Sequence, residues 1–296
     1  MTKLFNGAGV ALITPFNSDN TIDFEGLKKI VNFQIEAGID YIVALGTTAE
    51  TPTLSEDEQE KVVACIKAEV SGRVPIMLGL GGNNPQTVIS KIAKTDFSGI
   101  DGLLSVTPYY NRPQQAGLFA YYQAIAEASP VPVILYNVPG RTGVKLSAET
   151  TVDLAAITNI IGTKEASGDL NQASEIMRDA PDNFSFISGD DALTLPILAL
   201  GGCGVISVIA NAFPAEMAQM VRFMKEQRLL EAREIHMKLQ HVINLIFKEG
   251  SPSGIKALMS LMGLAQANCR LPLVGATDNL IKELTIELDI LKNQLK

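Results

Sequence analysis

Eight short apolar runs recur along the chain at intervals of about 25–30 residues, and most of the intervening stretches carry apolar residues at helical spacing. The runs are GVALITPF (9–16), YIVALG (41–46), VPIMLGLG (74–81), GLLSVTP (102–108), VPVILYN (131–137), IIGTKEA (160–166), FSFISGD (184–190) and GVISVIA (204–210). Between them lie FEGLKKIVNFQIEAG, SEDEQEKVVACIKAEV, NPQTVISKIAKTDFSG and SAETTVDLAAIT, where Ser or Asn at the entry suits a helix cap. Strand alternating with helix implies parallel strands joined by right-handed crossovers. Eight units favour an α/β fold closed as a (β/α)8 barrel, with a doubly wound open sheet as the alternative, because periodicity does not itself reveal closure.

After the eighth run, 214–249 reads as one extended helix or a pair, and IKALMSLMG and NLIKELTIELDILKN add further helices. No Pro/Gly/Ser-rich linker separates them from the barrel. Residues 1–224 are therefore expected to form the barrel and residues 225–296 a helical extension packed on it.

Hydrophobic residues make up 47% of the 296 and charged residues 19%, which excludes a disordered chain. A net charge of −8 argues against a nucleic-acid surface, which needs clustered Lys and Arg, and favours small-molecule chemistry. No apolar run approaches the ~20 residues that span a bilayer, and MTKLFNGAGVALITPF lacks the order of a signal peptide, so the expected location is the cytoplasm, away from membranes. Cys65, Cys203 and Cys269 are widely spaced and suggest neither disulfide nor metal cluster; they are expected as buried small residues. His236 and His241, five apart, miss the i, i+4 spacing that aims two ligands at one metal, and are expected to be surface or packing residues. Catalysis must then proceed without histidine.

In such barrels reactive groups gather where strands end, on the C-terminal face. The second run ends in Gly46-Thr47-Thr48-Ala49-Glu50, the fourth in Thr107-Pro108-Tyr109-Tyr110-Asn111, and the fifth in Tyr136-Asn137-Val138-Pro139-Gly140-Arg141-Thr142-Gly143. The sixth carries Lys164 within IIGTKEASG, where a buried ammonium is costly. One explanation is an ion pair with Glu165 or Asp190, although strand alternation turns Glu165 to the opposite face. The other is that an apolar lumen disfavours the ammonium form and frees an amine to attack a carbonyl carbon. Tyr136, one strand away, is placed to shuttle protons, with Thr47 and Tyr110 as candidate relays to solvent; each tyrosine alone is equally well a packing residue. Thr47 and Thr48 offer N–H groups and hydroxyls to a small carboxylate, and Arg141 offers a bidentate contact to a second one unless it is merely a solvated loop residue.

GVALITPF, GTTAE, TPYYNRP, YNVPGRTG, GTKEASGD and GVISV, in this order, make the whole chain resemble the dihydrodipicolinate synthase family of lysine and diaminopimelate biosynthesis, within the N-acetylneuraminate lyase superfamily. The resemblance implies a lyase that condenses pyruvate with L-aspartate 4-semialdehyde and then closes a ring, without metal or organic cofactor. It makes Lys164 the Schiff-base lysine, Tyr136 the proton-relay tyrosine and Thr47 its hydroxyl bridge. Tyr110 becomes a third relay member contributed across a subunit interface, which implies a dimer, in a family usually found as a homotetramer built as a dimer of dimers. Thr48 matches the pyruvate-carboxylate contact, Arg141 the residue that receives the semialdehyde carboxylate, and Gly189 and Ile206 line the pocket. Lysine and strand-five tyrosine are shared with sialic acid lyases and 2-keto-3-deoxy-sugar-acid aldolases; GRTG and TPYYNRP separate them.

Two departures stand out. Ala49 replaces a usual Gly, a small change. In lysine-inhibited relatives an interface pocket carries a histidine and a glutamate where this chain has Gln59 and Thr87. Without that carboxylate the ammonium of L-lysine is poorly compensated, so inhibition by L-lysine is expected to be weak or absent, although Asn83 and Tyr109 still match the pocket and Glu56 lies nearby as a substitute.

Overall fold

Every apolar run becomes a strand shorter than the run, trimmed at one end or at both. In this computed structural model, which describes residues 4–294, the strands are β1 (Gly7–Ala11), β2 (Tyr41–Ala44), β3 (Ile76–Gly79), β4 (Gly102–Val106), β5 (Val133–Asn137), β6 (Ile160–Glu165), β7 (Ser185–Ser188) and β8 (Gly204–Ser207). They form a closed barrel in chain order, which excludes the open sheet. The overshoot has local causes: Leu45 takes φ +53° directly after β2, and Thr47–Ala49 and Ile209–Asn211 wind into 3₁₀ turns.

The helices are α1 (Phe24–Glu36), α2 (Glu56–Val70), α3 (Pro85–Lys94), α4 (Gln115–Ala128), α5 (Pro139–Thr142), α6 (Ala148–Ala155), α7 (Leu170–Asp179), α8 (Thr194–Ala199), α9 (Pro214–Lys225), α10 (Leu229–Lys248), α11 (Ser253–Leu261) and α12 (Asp278–Gln294). The expected entry caps form: Ser55 and Glu58 build a capping box on α2, Asn84 accepts from Gln86 N on α3, and Ser147 from Thr150 N on α6. Among the described residues no helix is long and apolar enough to cross a membrane.

The described residues divide into two compact units. One comprises Pro75–Ile206 with the described residues before Gly7, and so carries β3 to β7 and most of β8. Its core packs Leu103, Val133, Leu135, Phe184 and Phe186 of the strand region against Leu118, Tyr122 and Ile125 of α4, Leu154 of α6 and Ile176 of α7. Each such side chain contributes about 1.5–3 kcal/mol on leaving water. Since Val133 and Leu135 face these helices, alternation turns Ile134 and Tyr136 to the other face of β5.

The second unit holds β1, β2, α1, α2 and the chain from Ser207 onward. Residues 214–249 are a helix pair, α9 and α10, parted where Gln227 takes φ +61°. Asn211 ties the turn after β8 to β1, accepting from Ile13 N at 3.1 Å and donating to Ala11 O at 2.9 Å. His236 is buried, and burial pulls its imidazole below the usual range; His241 is exposed and sits 2.6 Å from the Glu287 carboxylate. The cysteines depart from expectation. All three are only partly buried, Cys203 and Cys269 in irregular chain and Cys65 on the half-covered side of α2.

Candidate active site

In the first unit, the register of β5 and β6 places Tyr136 beside Lys164. Both are buried, and the Lys164 ammonium nitrogen lies 4.4 Å from the centroid of the Tyr136 ring. Among the described residues no carboxylate lies within ion-pair distance of Lys164. The ion-pair explanation therefore fails for both acids it invoked. Glu165 points the other way, as alternation requires, and Asp190 turns its Oδ1 to Ala192 N at 2.9 Å.

Gly189, just beyond β7, closes against the same lysine. A Cβ there would stand 3.1 Å from Lys164 Cε, 3.0 Å from Glu165 O and 2.8 Å from Ala166 Cβ. Only glycine lets the β7 end approach while the lysine keeps its place. Ile206 is buried on β8.

The opposite faces of β5 and β6 are polar at the same level. Asn137 pairs with Glu165 in the register, and its Nδ2 donates to both carboxylate oxygens, at 2.9 and 3.2 Å. Gln172 Nε2 at 3.1 Å and Ser167 N at 2.7 Å complete the donors to Glu165. Asn137 also holds both backbone groups of Leu146, accepting from its N–H at 2.9 Å and donating to its carbonyl at 3.2 Å. Arg141 lies in the segment closed by this clasp. It is the third residue of the one-turn helix α5 and is exposed. Arg112 Nε donates to Gly143 O at 2.9 Å, fastening the end of that segment to the loop after β4.

Tyr110 occupies that loop with φ +74° and 88% of its surface exposed, the most exposed large apolar side chain among the described residues. Tyr109 is also exposed. Asn83 accepts at its carbonyl from Asn111 Nδ2 at 3.3 Å, and Thr87 lies exposed on α3.

In the second unit, the turn after β2 carries Thr47 exposed and Thr48 buried. Thr51 Oγ1 donates back to Leu45 O at 2.8 Å and Gly46 O at 3.0 Å, and Thr14 Oγ1 donates to Ala49 O at 2.8 Å. The turn ends at Glu50, left-handed at φ +56° and buried. Its carboxylate accepts from Lys256 Nζ and, at 2.9 Å, from Arg270 N. Lys256 is fully buried and also donates to Asn268 O at 2.9 Å, and both Lys256, at 4.1 Å, and Arg270, at 4.5 Å, approach the centroid of the Phe16 ring. Arg270 reaches on to Glu58 with contacts of 2.6 and 2.8 Å. Gln59 spends its amide on Leu54 O at 3.0 Å and Thr51 O at 3.3 Å, and Glu56 is exposed at the start of α2.

Sequence reasoning passed over Glu50, Lys256 and Arg270, and read Glu165 only as a discarded ion-pair partner. A signal for Lys256 existed: like Lys164 it interrupts an apolar run, GIKALM. Among the described residues no group of three or more His, Cys, Asp or Glu side chains forms a metal-sized cluster.

The chain matches the model of the dihydrodipicolinate synthetase family over residues 4–291. A protein of Flavobacterium psychrophilum named 4-hydroxy-tetrahydrodipicolinate synthase is 47% identical over 294 residues, covering 99% of each chain. A crystal structure of chloride-inhibited dihydrodipicolinate synthase from Acinetobacter baumannii, complexed with pyruvate, superposes with a TM-score of 0.94 at 38% identity, covering 97% of this chain and 99% of that one. A structure described as the first monomeric dihydrodipicolinate synthase variant superposes with a TM-score of 0.95 at 36% identity, covering 98% and 97%. With a family model spanning nearly all its length, the chain belongs to the dihydrodipicolinate synthetase family.

Proposed function

We propose that Lys164 is the nucleophile of a lyase that condenses pyruvate with L-aspartate 4-semialdehyde to give 4-hydroxy-tetrahydrodipicolinate. One observation carries this reading: a buried lysine with no carboxylate partner among the described residues, its nitrogen over a tyrosine ring. The amine adds to the keto carbon of pyruvate; protonation of the resulting hydroxyl expels water and leaves a protonated imine. Loss of a proton from the pyruvate methyl gives an enamine, whose carbon attacks the aldehyde of the second substrate. The amino group of that substrate then displaces Lys164 from the imine carbon and closes the ring.

Tyr136 supplies and removes the protons of these steps, with Thr47 and Tyr110 passing them on. Thr48 binds the pyruvate carboxylate and Arg141 that of the semialdehyde, while Gly189 and Ile206 shape the pocket. The exposure of Tyr110 supports a relay completed by a second subunit, in a homotetramer assembled as a dimer of dimers in the cytoplasm. With Gln59 committed to backbone carbonyls and Thr87 uncharged, L-lysine finds no carboxylate at those two positions and inhibits weakly or not at all. Sialic acid and keto-deoxy-sugar acids are not its substrates, since Arg141 offers charge where a polyol needs hydroxyl partners.

Borohydride reduction in the presence of pyruvate tests the nucleophile. The expected result is a stable mass gain localised to Lys164; an unmodified Lys164 would overturn the reading.

A further inference from the structure

The two residues assigned to the chemistry occupy paired positions on β5 and β6, and so do the two residues immediately after them. Tyr136 and Lys164 face one side; Asn137 and Glu165 face the other and are joined there by side-chain hydrogen bonds. We infer that the Asn137–Glu165–Gln172 cluster is a positioning device for the reaction, fixing the spacing of Tyr136 from Lys164 and anchoring the segment that carries Arg141.

Four features support the inference. Glu165 is a buried carboxylate, 3% exposed, that no Lys or Arg neutralises among the described residues; it is held instead by N–H donors from three residues, Asn137 on β5, Ser167 just after β6 and Gln172 on α7. A buried charge satisfied only by hydrogen bonds is a costly way to fill space that an apolar side chain would fill more stably. Second, the cluster spans the very pair of strands whose relative position sets the 4.4 Å contact between Lys164 and the Tyr136 ring. A slide of one residue would turn both reactive side chains away from one another. Third, the strand ends are stitched by main-chain bonds at the same level, Ala166 N to Asn137 O at 2.9 Å and Gly189 N to Glu165 O at 2.7 Å, so a shift at Glu165 also moves the glycine against Lys164. Fourth, Asn137 clasps both backbone groups of Leu146, and Gln172 adds a contact to Leu146 O at 3.1 Å, closing the loop through Arg141.

The polarity of the cluster supplies its own test. Every partner of Glu165 is a donor, so Glu165→Gln sets an amide N–H against another N–H, and Asn137→Asp sets a carboxylate against Glu165. Combining Asn137→Asp with Glu165→Gln reverses the pair and restores one donor facing one acceptor. The inference rests on Lys164 and Tyr136 being the reacting pair, so the first arm is borohydride trapping of the wild type with pyruvate: absence of a Lys164 adduct there defeats the functional reading itself. Given trapping, each single variant is expected to lose roughly 100-fold in the rate of adduct formation and in kcat, the scale of a small misplacement of reacting groups, with the KM for pyruvate changed less than about 3-fold. The double variant is expected to recover at least about tenfold of that loss. Gln172→Leu, which keeps Glu165 and Asn137 paired, provides a milder arm that reads the same rates should a single variant not fold. Normal trapping rates and kcat in the folded single variants or in Gln172→Leu, with only melting temperature lowered, would overturn the inference and leave the cluster a structural one.

Discussion

Lys164 and Lys256 begin alike: each interrupts an apolar run, each is buried, and each lies about one ring-contact distance from an aromatic face, at 4.4 Å from Tyr136 and 4.1 Å from Phe16. Their company differs. Lys256 meets the Glu50 carboxylate and the Asn268 carbonyl, so its charge is compensated and its task is to hold a turn. Burial pulls its ammonium below the usual lysine range, and Glu50 opposes that pull without cancelling it. Among the described residues Lys164 has no such anion, and it stands next to a phenol. A buried lysine is thus read by its partner: with a carboxylate it is architecture, and without one it is available for chemistry.

The sharpest way to break this contrast is to remove Lys164. Lys164→Ala is expected to lower turnover by roughly 10⁴-fold or more while stability stays within about 1 kcal/mol of wild type, because no ion pair is lost. A coupled assay and a thermal melt measure both; a large fall in stability would show a hidden anion. Lys256→Met is expected to do the reverse to the fold, costing about 3–5 kcal/mol by stranding the Glu50 carboxylate, with much of the loss recovered when Glu50→Gln is added. Urea unfolding of the single and double variants checks it, and an unrecovered double variant would mean that packing rather than charge holds the turn.

Gly189→Ala sharpens the Lys164 side without touching its charge. Its Cβ, 3.1 Å from Lys164 Cε, is expected to reduce adduct formation about 10- to 100-fold, measured by the time course of borohydride trapping. The smallest effect concerns the Lys256 side. Hydrogen bonding from Arg270 holds the Glu58 carboxyl at about 2, below its ordinary 4.5. A carboxyl depressed by folding adds stability that is whole above the unfolded value and disappears as pH falls through the folded one. Melting temperature is therefore expected to carry a contribution, lost between about pH 4.5 and 2, that Glu58→Gln abolishes; equal slopes for the two proteins would refute it.

How legible these features were in the sequence follows from distance along the chain. The positions of Lys164 and Tyr136 near strand ends, and of Thr47 and Thr48 in the turn just past one, were readable from strand periodicity. Glu165 was readable as facing away, but its partner Gln172 lies on α7, and nothing in QAS announces a side chain bent back to a carboxylate. Lys256 and Glu50 stand 206 residues apart, and Arg270 and Glu50 stand 220 apart, so no local pattern connects them. The cysteines were misjudged for a related reason: residue type suggests burial, whereas exposure is set by what covers the helix or loop. The left-handed φ of Tyr110 in TPYYNRP was likewise invisible, since tyrosine gives no warning of it.

The bond from Lys256 to Glu50 also has a timetable. A ribosome adding about 5–20 residues per second needs on the order of 10–40 s to travel the 206 residues between them. Throughout that interval the nascent turn after β2 has its threonines but neither the lysine nor the arginine that fastens its last residue. The chain completes one of its earliest-made corners with some of its latest-made side chains, so a stalled or prematurely ended translation product would be left with that corner unfastened and its carboxylate without a counter-charge.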